Sequence, residues 1–372
     1  MSSAGAAPLR VAIAGLGFGE KVHLPALRAC AHTEAVALWH PRADRLARAS
    51  AAAELPGYTD FEALLQDPSV EALVIATPPG PRFALAEQAL RAGKHLLLEK
   101  PVTLNADEAE ALERLALEQG CICAVNFEYR AVPSFQQLAA LLEQGWLGEP
   151  WLLRFDWLMG SRSDPNRAWN WYAQAAEGGG VLGALGSHAL DLLEWLVGPV
   201  RQLQAQLAVA IKERPLATGS GFAKVDAADT ALLQLQLAPR WGPQPSRPLA
   251  AQLALSAVAR QGRGCWLEFY GSEGSLVLGS ANQSDYVHGF QLRGSKNGSP
   301  LAVIEPDPAL AYGQTWEDGR IAPVERLLGW WAKAVRSGRP MLPGLLEGLV
   351  SQKLLDASLA SHRQQRSLIL PS

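Results

Sequence analysis

Five short apolar runs, 9–15 (LRVAIAG), 34–39 (EAVALW), 71–76 (EALVIA), 94–98 (KHLLL) and 121–126 (CICAVN), punctuate the start of the chain. Between them lie helical patterns at 22–31, 43–53, about 81–92 and 105–119. The runs show no period-two alternation, so each strand must be covered on both faces. A parallel sheet wrapped by crossover helices satisfies that demand. The sequence therefore predicts a Rossmann-type α/β domain over 1–126.

From 127 onward the texture changes. Helices are expected at 134–144 and 181–197, with strands at 150–158, 203–211, 229–237, 249–259, 264–270 and 275–278. The later strands follow one another without helices, which predicts an α+β domain over 127–372 with a large, mostly antiparallel open sheet. The stretches 238–248 and 294–300 read as exposed loops. Helices at 323–337 and 344–362 and a last strand, SLILP, complete the pattern.

Composition narrows the partners. A net charge of -3 over 372 residues gives no basic excess to neutralise a row of phosphates, which argues against nucleic acid and for a small-molecule substrate. The four cysteines, Cys30, Cys121, Cys123 and Cys265, show no paired spacing. Neither a disulfide framework nor a metal site is expected, and a reducing cytoplasm is the default. No signal peptide is read at the N-terminus, and no run approaches the roughly 18 apolar residues of a membrane span.

The first βα junction reads Gly15-Leu16-Gly17-Phe18-Gly19-Glu20. Gly15 permits a tight turn and Gly17 lets backbone approach a pyrophosphate, with the helix N-terminus aimed at the phosphates. Glu20 stands where a GxGxxG pattern has its third glycine, a carboxylate near a diphosphate unless it turns outward or Lys21 offsets it. The second strand ends at Trp39-His40-Pro41-Arg42 with no acidic residue for a ribose hydroxyl. Arg42 with His40 suits a 2′-phosphate, so NADP(H) is favoured and NAD(H) remains possible.

Glu99-Lys100-Pro101, preceded by Ala92-Gly93-Lys94-His95, completes a set of motifs that resembles the Gfo/Idh/MocA oxidoreductases. The other parts are GLGFGEKVHLPAL with His23, ATPP at 76–79, NFEYR at 126–130, GGG at 178–180 and GSHALD at 186–191. The resemblance implies an NAD(P)-dependent dehydrogenase or reductase of sugars, inositols or related polyols, often assembled through its open sheet into a homodimer or homotetramer. It implies cofactor contacts from Gly15, Gly17, Phe18, Gly19, Thr77, Pro78, Glu99 and Lys100, and a Lys100–Pro101 bond that is often cis. Lys100 would stand near the nicotinamide, where an ammonium stabilises an alkoxide or relays a proton. His188, near neutral in its ordinary pKa, and Asp191, three residues on, complete the expected catalytic set.

Arg130, Trp157, Arg167, Trp171 and His188 are candidates for the substrate side, since aromatic faces and guanidinium groups suit a sugar ring or an anion. Close helix packing explains Gly178, Gly179 and Gly180 as well as a flat ligand does. Two departures stand out. Ala184 replaces an aspartate usual one turn before the histidine, and Arg82 stands where the family often has histidine. They leave open a dinucleotide-sensing regulator without catalysis, and a reductase of a tetrapyrrole or an imine.

Overall fold

Successive side chains of a strand point to opposite faces, and in the inner strands of the first unit both directions are apolar. The computed structural model describes residues 7–243, 247–282 and 286–371. Its first strands are β1 (Leu9–Ala14), β2 (Thr33–Trp39), β3 (Gly57–Tyr58), β4 (Ala72–Ile75), β5 (His95–Leu98) and β6 (Cys123–Val125). All pair in parallel in the order β3-β2-β1-β4-β5-β6. The helices between them are α1 (Leu24–Ala29), α2 (Ala43–Ala53), α3 (Phe61–Gln66), α4 (Pro79–Arg91) and α5 (Ala106–Glu118). Leu73 and Ile75 of β4 pack with α3, α4 and α5 on one face. Ala72 and Val74 pack with α1, α2 and the late helix Ile321–Ser337 on the other.

That late helix sets the composition of the unit. The first unit runs to Ala131 and takes in Gln314–Gln352, so it differs from a linear division at 126 in this segment. The reason is burial: Trp331 is fully enclosed and donates from Nε1 to the Ile122 carbonyl at 3.1 Å. Arg336 of the same helix holds Glu71 through both guanidinium nitrogens at 2.8 and 2.9 Å and also bonds the Pro8 carbonyl, while Arg10 reaches the same carboxylate. Chiefly through the Arg336 bonds, the Glu71 carboxyl drops from 4.5 to about 2. A depressed carboxyl stabilises the fold above its unfolded value and loses that contribution as pH falls toward the folded one. We expect Glu71→Gln to cost about 2 kcal/mol at neutral pH after allowance for solvent. In thermal melts, its difference from wild type should shrink as pH falls from 4.5 toward 2; a constant difference would overturn the assignment.

The second unit comprises Val132–Gly313 and the segment from Lys353. Its strands are β7 (Pro150–Leu158), β8 (Val200–Ala208), β9 (Glu213–Pro215), β10 (Phe222–Lys224), β11 (Thr230–Leu237), β12 (Leu249–Ser256), β13 (Gly264–Gly271), β14 (Gly274–Ser280), β15 (Gln291–Lys296), β16 (Ala302–Val303) and β17 (Leu368–Ile369). Nine form one sheet in the order β16-β15-β14-β13-β7-β12-β11-β8-β17, and β9 with β10 makes a separate hairpin. Within the sheet β7 and β12 pair in parallel and the other pairs run antiparallel. The sheet is one-sided: Ala231, Leu233, Leu235 and Leu237 of β11 are buried, while Leu232, Gln234 and Gln236 are exposed.

Several boundaries move. The strand expected at 203–211 lies three residues earlier, while the helix expected over 181–197 is helical from Gly180 to Leu196, with a π-type turn over Leu182–Gly186 leading into α7 (Ser187–Leu196). The start of the loop expected at 294–300 is instead strand, since Gly294 and Ser295 pair with Leu276 and Ser275 of β14, and a Cβ at Gly294 would stand 2.5 Å from Ile304 Cδ1 and 3.1 Å from the Trp146 ring. Residues 244–246 of the other expected loop lie outside the described residues. Helix α6 (Pro133–Glu143) keeps its expected place within one residue.

Candidate active site

The turn after β1 separates the duties of its glycines. Gly15 has a φ of +105°, and a Cβ there would stand 2.8 Å from the Ala76 carbonyl carbon and 2.9 Å from Thr77 N. It exists to let β1 and β4 end side by side. Gly17 has a φ of +134° and nothing within 4 Å of its missing Cβ. It leaves an open backbone face, as approach by a diphosphate requires.

The close contact of helix and strand, usually the third glycine's duty, falls here to Gly19, whose Cβ would meet Ile13 Cγ2 at 2.8 Å. The following turn, Gly19–His23, is π-type and so one residue wider than an α-turn, which absorbs the displacement. Glu20 is consequently exposed. At the end of β4, Thr77 Oγ1 is buried without a hydrogen-bond partner among the described residues. An open glycine face and an orphaned hydroxyl at the carboxyl ends of parallel strands fit a nicotinamide dinucleotide.

At the end of β2, Arg42 donates from its backbone to His40 Nδ1 at 3.0 Å. Its guanidinium makes a two-pronged pair with Asp44, at 3.2 and 2.8 Å. Pro78 is exposed at the start of α4. Arg320, carried by the late segment of this unit, lies over the Phe18 ring at 5.2 Å and holds Asp318 with two bonds of 2.8 and 2.6 Å.

The end of β5 is a buried polar hub. Glu99 Oε1 accepts from His23 Nε2 at 2.8 Å and from Asn126 Nδ2 at 2.7 Å. Burial pushes the Glu99 carboxyl up, but the His23 bond and the charges of His23, Lys100 and Arg82 outweigh it and hold the group ionised below its ordinary value. Lys100 follows, its bond to Pro101 cis. Burial lowers the ammonium below its ordinary value against the pull of Glu128 and Glu99, and Arg82 and Arg320 push the same way. Glu128 is itself buried, and burial together with Glu99 raises its carboxyl to about 8, leaving it largely protonated at neutral pH. Arg130, two residues on, is also buried.

In the second unit His188 and Asp191 share the buried part of α7. Trp157 on β7 is 1% exposed and its ring centroid lies 6.3 Å from that of His188, with the Phe155 ring stacked at 6.0 Å from the same indole. The indole thus backs the imidazole from within the core. The loop after β7 is tied down by arginines: Arg214 donates to the Arg162 and Asp164 carbonyls, and Arg167 to Ser161. Arg162 lies 3.9 Å over the Tyr172 ring. Trp169 donates to the Lys224 carbonyl, and Trp171 packs edge-on to Tyr172 while remaining half-buried. Gly179 is crowded by this unit's own backbone, since its Cβ would meet the carbonyls of Trp171, Tyr172 and Gln174 at 2.4 to 2.7 Å.

The structure thus gathers Gly15, Gly17, Phe18, Gly19, Thr77, Glu99, Lys100 and Arg130 in one unit, and Trp157, Arg167, Trp171, His188 and Asp191 in the other. Sequence reasoning did not assign His23, Asn126, Glu128 or Arg320. Among the described residues no group of three or more His, Cys, Asp or Glu is placed to hold a metal ion.

Residues 9–127 match the family model described as an oxidoreductase family with an NAD-binding Rossmann fold, and residues 135–277 match the GFO/IDH/MocA C-terminal domain. An uncharacterized oxidoreductase of Synechocystis sp. is 43% identical over 367 residues, 98% of this chain and 96% of that protein. Levoglucosan dehydrogenase of Pseudarthrobacter phenanthrenivorans is 26% identical over 69% of this chain and 67% of its own length. A solved structure of a levoglucosan dehydrogenase in complex with NADH and L-sorbose covers 99% of this chain and 100% of its own, with a TM-score of 0.86 at 22% identity, a likeness of fold.

Proposed function

The chain belongs to the Gfo/Idh/MocA oxidoreductase family, and from that premise we propose an NADP(H)-dependent enzyme that moves a hydride between the nicotinamide and a hydroxyl- or carbonyl-bearing carbon of a sugar, polyol or related compound. The observation that carries this reading is Lys100: a half-buried lysine at the carboxyl end of a parallel strand, its ammonium made easier to deprotonate by burial and faced by the Glu99 carboxylate and the Glu128 carboxyl. A bound nicotinamide supplies or accepts the hydride. Lys100 handles the proton at the substrate oxygen, as amine in oxidation and as ammonium in reduction. Glu99, fixed by His23 and Asn126, keeps a carboxylate beside it. His188 is the second proton group, with Asp191 on the same helix to orient it or meet substrate hydroxyls. Arg130, Arg167 and Trp171 are assigned to the substrate side, and Trp157 supports His188.

The relative named for levoglucosan supports a sugar-like substrate. The test is absorbance at the reduced-nicotinamide band with a panel of sugars, inositols and their keto forms, in both directions. Turnover supports the enzyme. NADPH binding without turnover of any compound overturns the sugar reading in favour of a sensor, or of a tetrapyrrole or imine substrate, the readings that Ala184 keeps in view.

Preference for NADP(H) over NAD(H) rests on Arg42 and His40, and requires Arg42 to exchange Asp44 for a 2′-phosphate. We expect Arg42→Ala to weaken NADPH binding roughly tenfold, the worth of one charge-assisted contact, while NADH binding stays level. Fluorescence titration of both cofactors reads this directly, and equal affinities in the wild type would remove the preference. The four cysteines, all free and buried, support a cytoplasmic setting. Among the described residues no helix is long and apolar enough to cross a membrane. The outer sheet face, with Gln204, Gln234, Gln252 and exposed Leu152, supports a homodimer or homotetramer; a monomeric mass in light scattering would remove that part.

A further inference from the structure

Arg82 is one of the most enclosed polar side chains among the described residues, at 2% exposure. It stands in the first turns of α4, between the ends of β4 and β5. From Nη1 it donates to the Glu99 carbonyl at 2.7 Å and to the Pro101 carbonyl, and from Nη2 to the Thr77 carbonyl. Two of these acceptors flank Lys100 and the third ends the strand that borders the glycine turn. Enclosing a guanidinium is costly unless its donors are met. Here Nη1 and Nη2 find acceptors on the two backbone stretches that carry the site, while Nε is buried without a partner among the described residues, and burial, against the opposing charge of Glu99, lowers the group only to about 10, so it stays charged at neutral pH.

We infer that Arg82 is a positioning residue: its guanidinium fork clasps residues 99–101 to the end of β4 and thereby sets where the Lys100 ammonium stands. A lysine cannot replace it, because a point charge does not reproduce a planar fork that spans three carbonyls. Its charge also acts on Lys100, as one of the groups that keep that amine weakly basic. Fork and charge are therefore separable by substitution.

The inference rests on Lys100 as the reacting lysine, so its test reads Lys100 with and without turnover. The probe is acetic anhydride, with the acetylation of Lys100 followed by mass spectrometry as a function of pH in wild type, Arg82→Lys and Arg82→Gln. Arg82→Gln removes the charge, and the midpoint of Lys100 labelling should move to higher pH, with several-fold less labelling at neutral pH than in wild type. Arg82→Lys keeps the charge and the midpoint, but should lower kcat about 10- to 100-fold, the cost of misplacing a reacting group by about 1 Å, with KM for NADPH nearly unchanged. An unmoved midpoint in Arg82→Gln, or full kcat in Arg82→Lys of an enzyme that Lys100→Ala inactivates, overturns the inference. If Arg82→Gln does not fold, Arg82→Lys decides alone: wild-type kcat overturns, and a selective loss of kcat supports. Should Lys100→Ala itself keep turnover, the catalytic reading fails while the labelling curves still answer for Arg82.

Discussion

Lys100→Ala should lower turnover by about three orders of magnitude, the joint worth of a placed acid-base group and an electrostatic contact to the substrate oxygen. NADPH affinity should change by no more than a few fold, because the open backbone at Gly17 and the hydroxyl of Thr77 are untouched. Folding should not suffer, since the substitution removes a half-buried charge whose ammonium form is disfavoured by burial. The pH dependence follows in sign. Oxidation needs the neutral amine, so its rate rises with pH through a midpoint below the 10.5 of an ordinary lysine. Reduction needs the ammonium and falls over the same interval. Both limbs vanish in the variant. Steady-state assays across pH check this, and a variant that keeps more than about a tenth of wild-type turnover would contradict the role given to Lys100.

Gly15→Ala should abolish detectable NADPH binding and lower the melting temperature. An L-residue at a φ of +105° is strained by about 1–3 kcal/mol before any contact is counted. The added methyl then meets the backbone of Ala76 and Thr77 at 2.8 to 2.9 Å, atoms that move only if β1 and β4 separate at their ends. The Ala76 amide, bonded to the Ala14 carbonyl at 2.8 Å, resists the same opening. Gly17→Ala is the companion: with nothing within 4 Å it keeps most of the stability yet should still lose cofactor affinity, since its side chain enters the open face. Thermal unfolding and fluorescence titration separate the two, and equal melting temperatures for both variants would show that the crowding at Gly15 is relieved cheaply.

The parallel sheet was legible because buried strands write themselves as continuous apolar runs. β3 was not, since its two residues pair only with the end of β2 and carry no pattern of their own. The strand at 291–296 reads as turn because Gly294 and Ser295 look like loop residues; only the Trp146 and Ile304 side chains, distant in sequence, reveal why glycine stands there. At the site, Lys100 and the glycines carry their chemistry in local motifs. Arg82 stood out as an unusual residue, but its acceptors are backbone carbonyls, which every residue possesses and no motif records. His23 and Asn126 were visible within motifs, and what they grip became clear only when the strand ends met. Asp44 escaped because attention to the last residue of β2 looks for an acid at the strand end, not two residues into the next helix.

The first unit's dependence on residues 314–352 has a consequence for the order of events at the ribosome. When Ala131 has been made, the face of the sheet formed by Val11, Ile13, Val74 and Leu97 still lacks Trp331, Leu327 and Val324, which belong to the same cluster. At ordinary elongation rates those side chains arrive about 10 to 40 s later. Through that interval a nascent parallel sheet presents an uncovered apolar surface, the condition under which chains recruit chaperones or aggregate. The second unit waits as well, because β17 and the Ser361 hydroxyl that caps the Ala205 amide come from the last stretch of chain. The first unit can close once Gln352 is made, so loss of the residues from Ser361 onward strikes the second unit alone, whereas a cut before Ile321 strikes both.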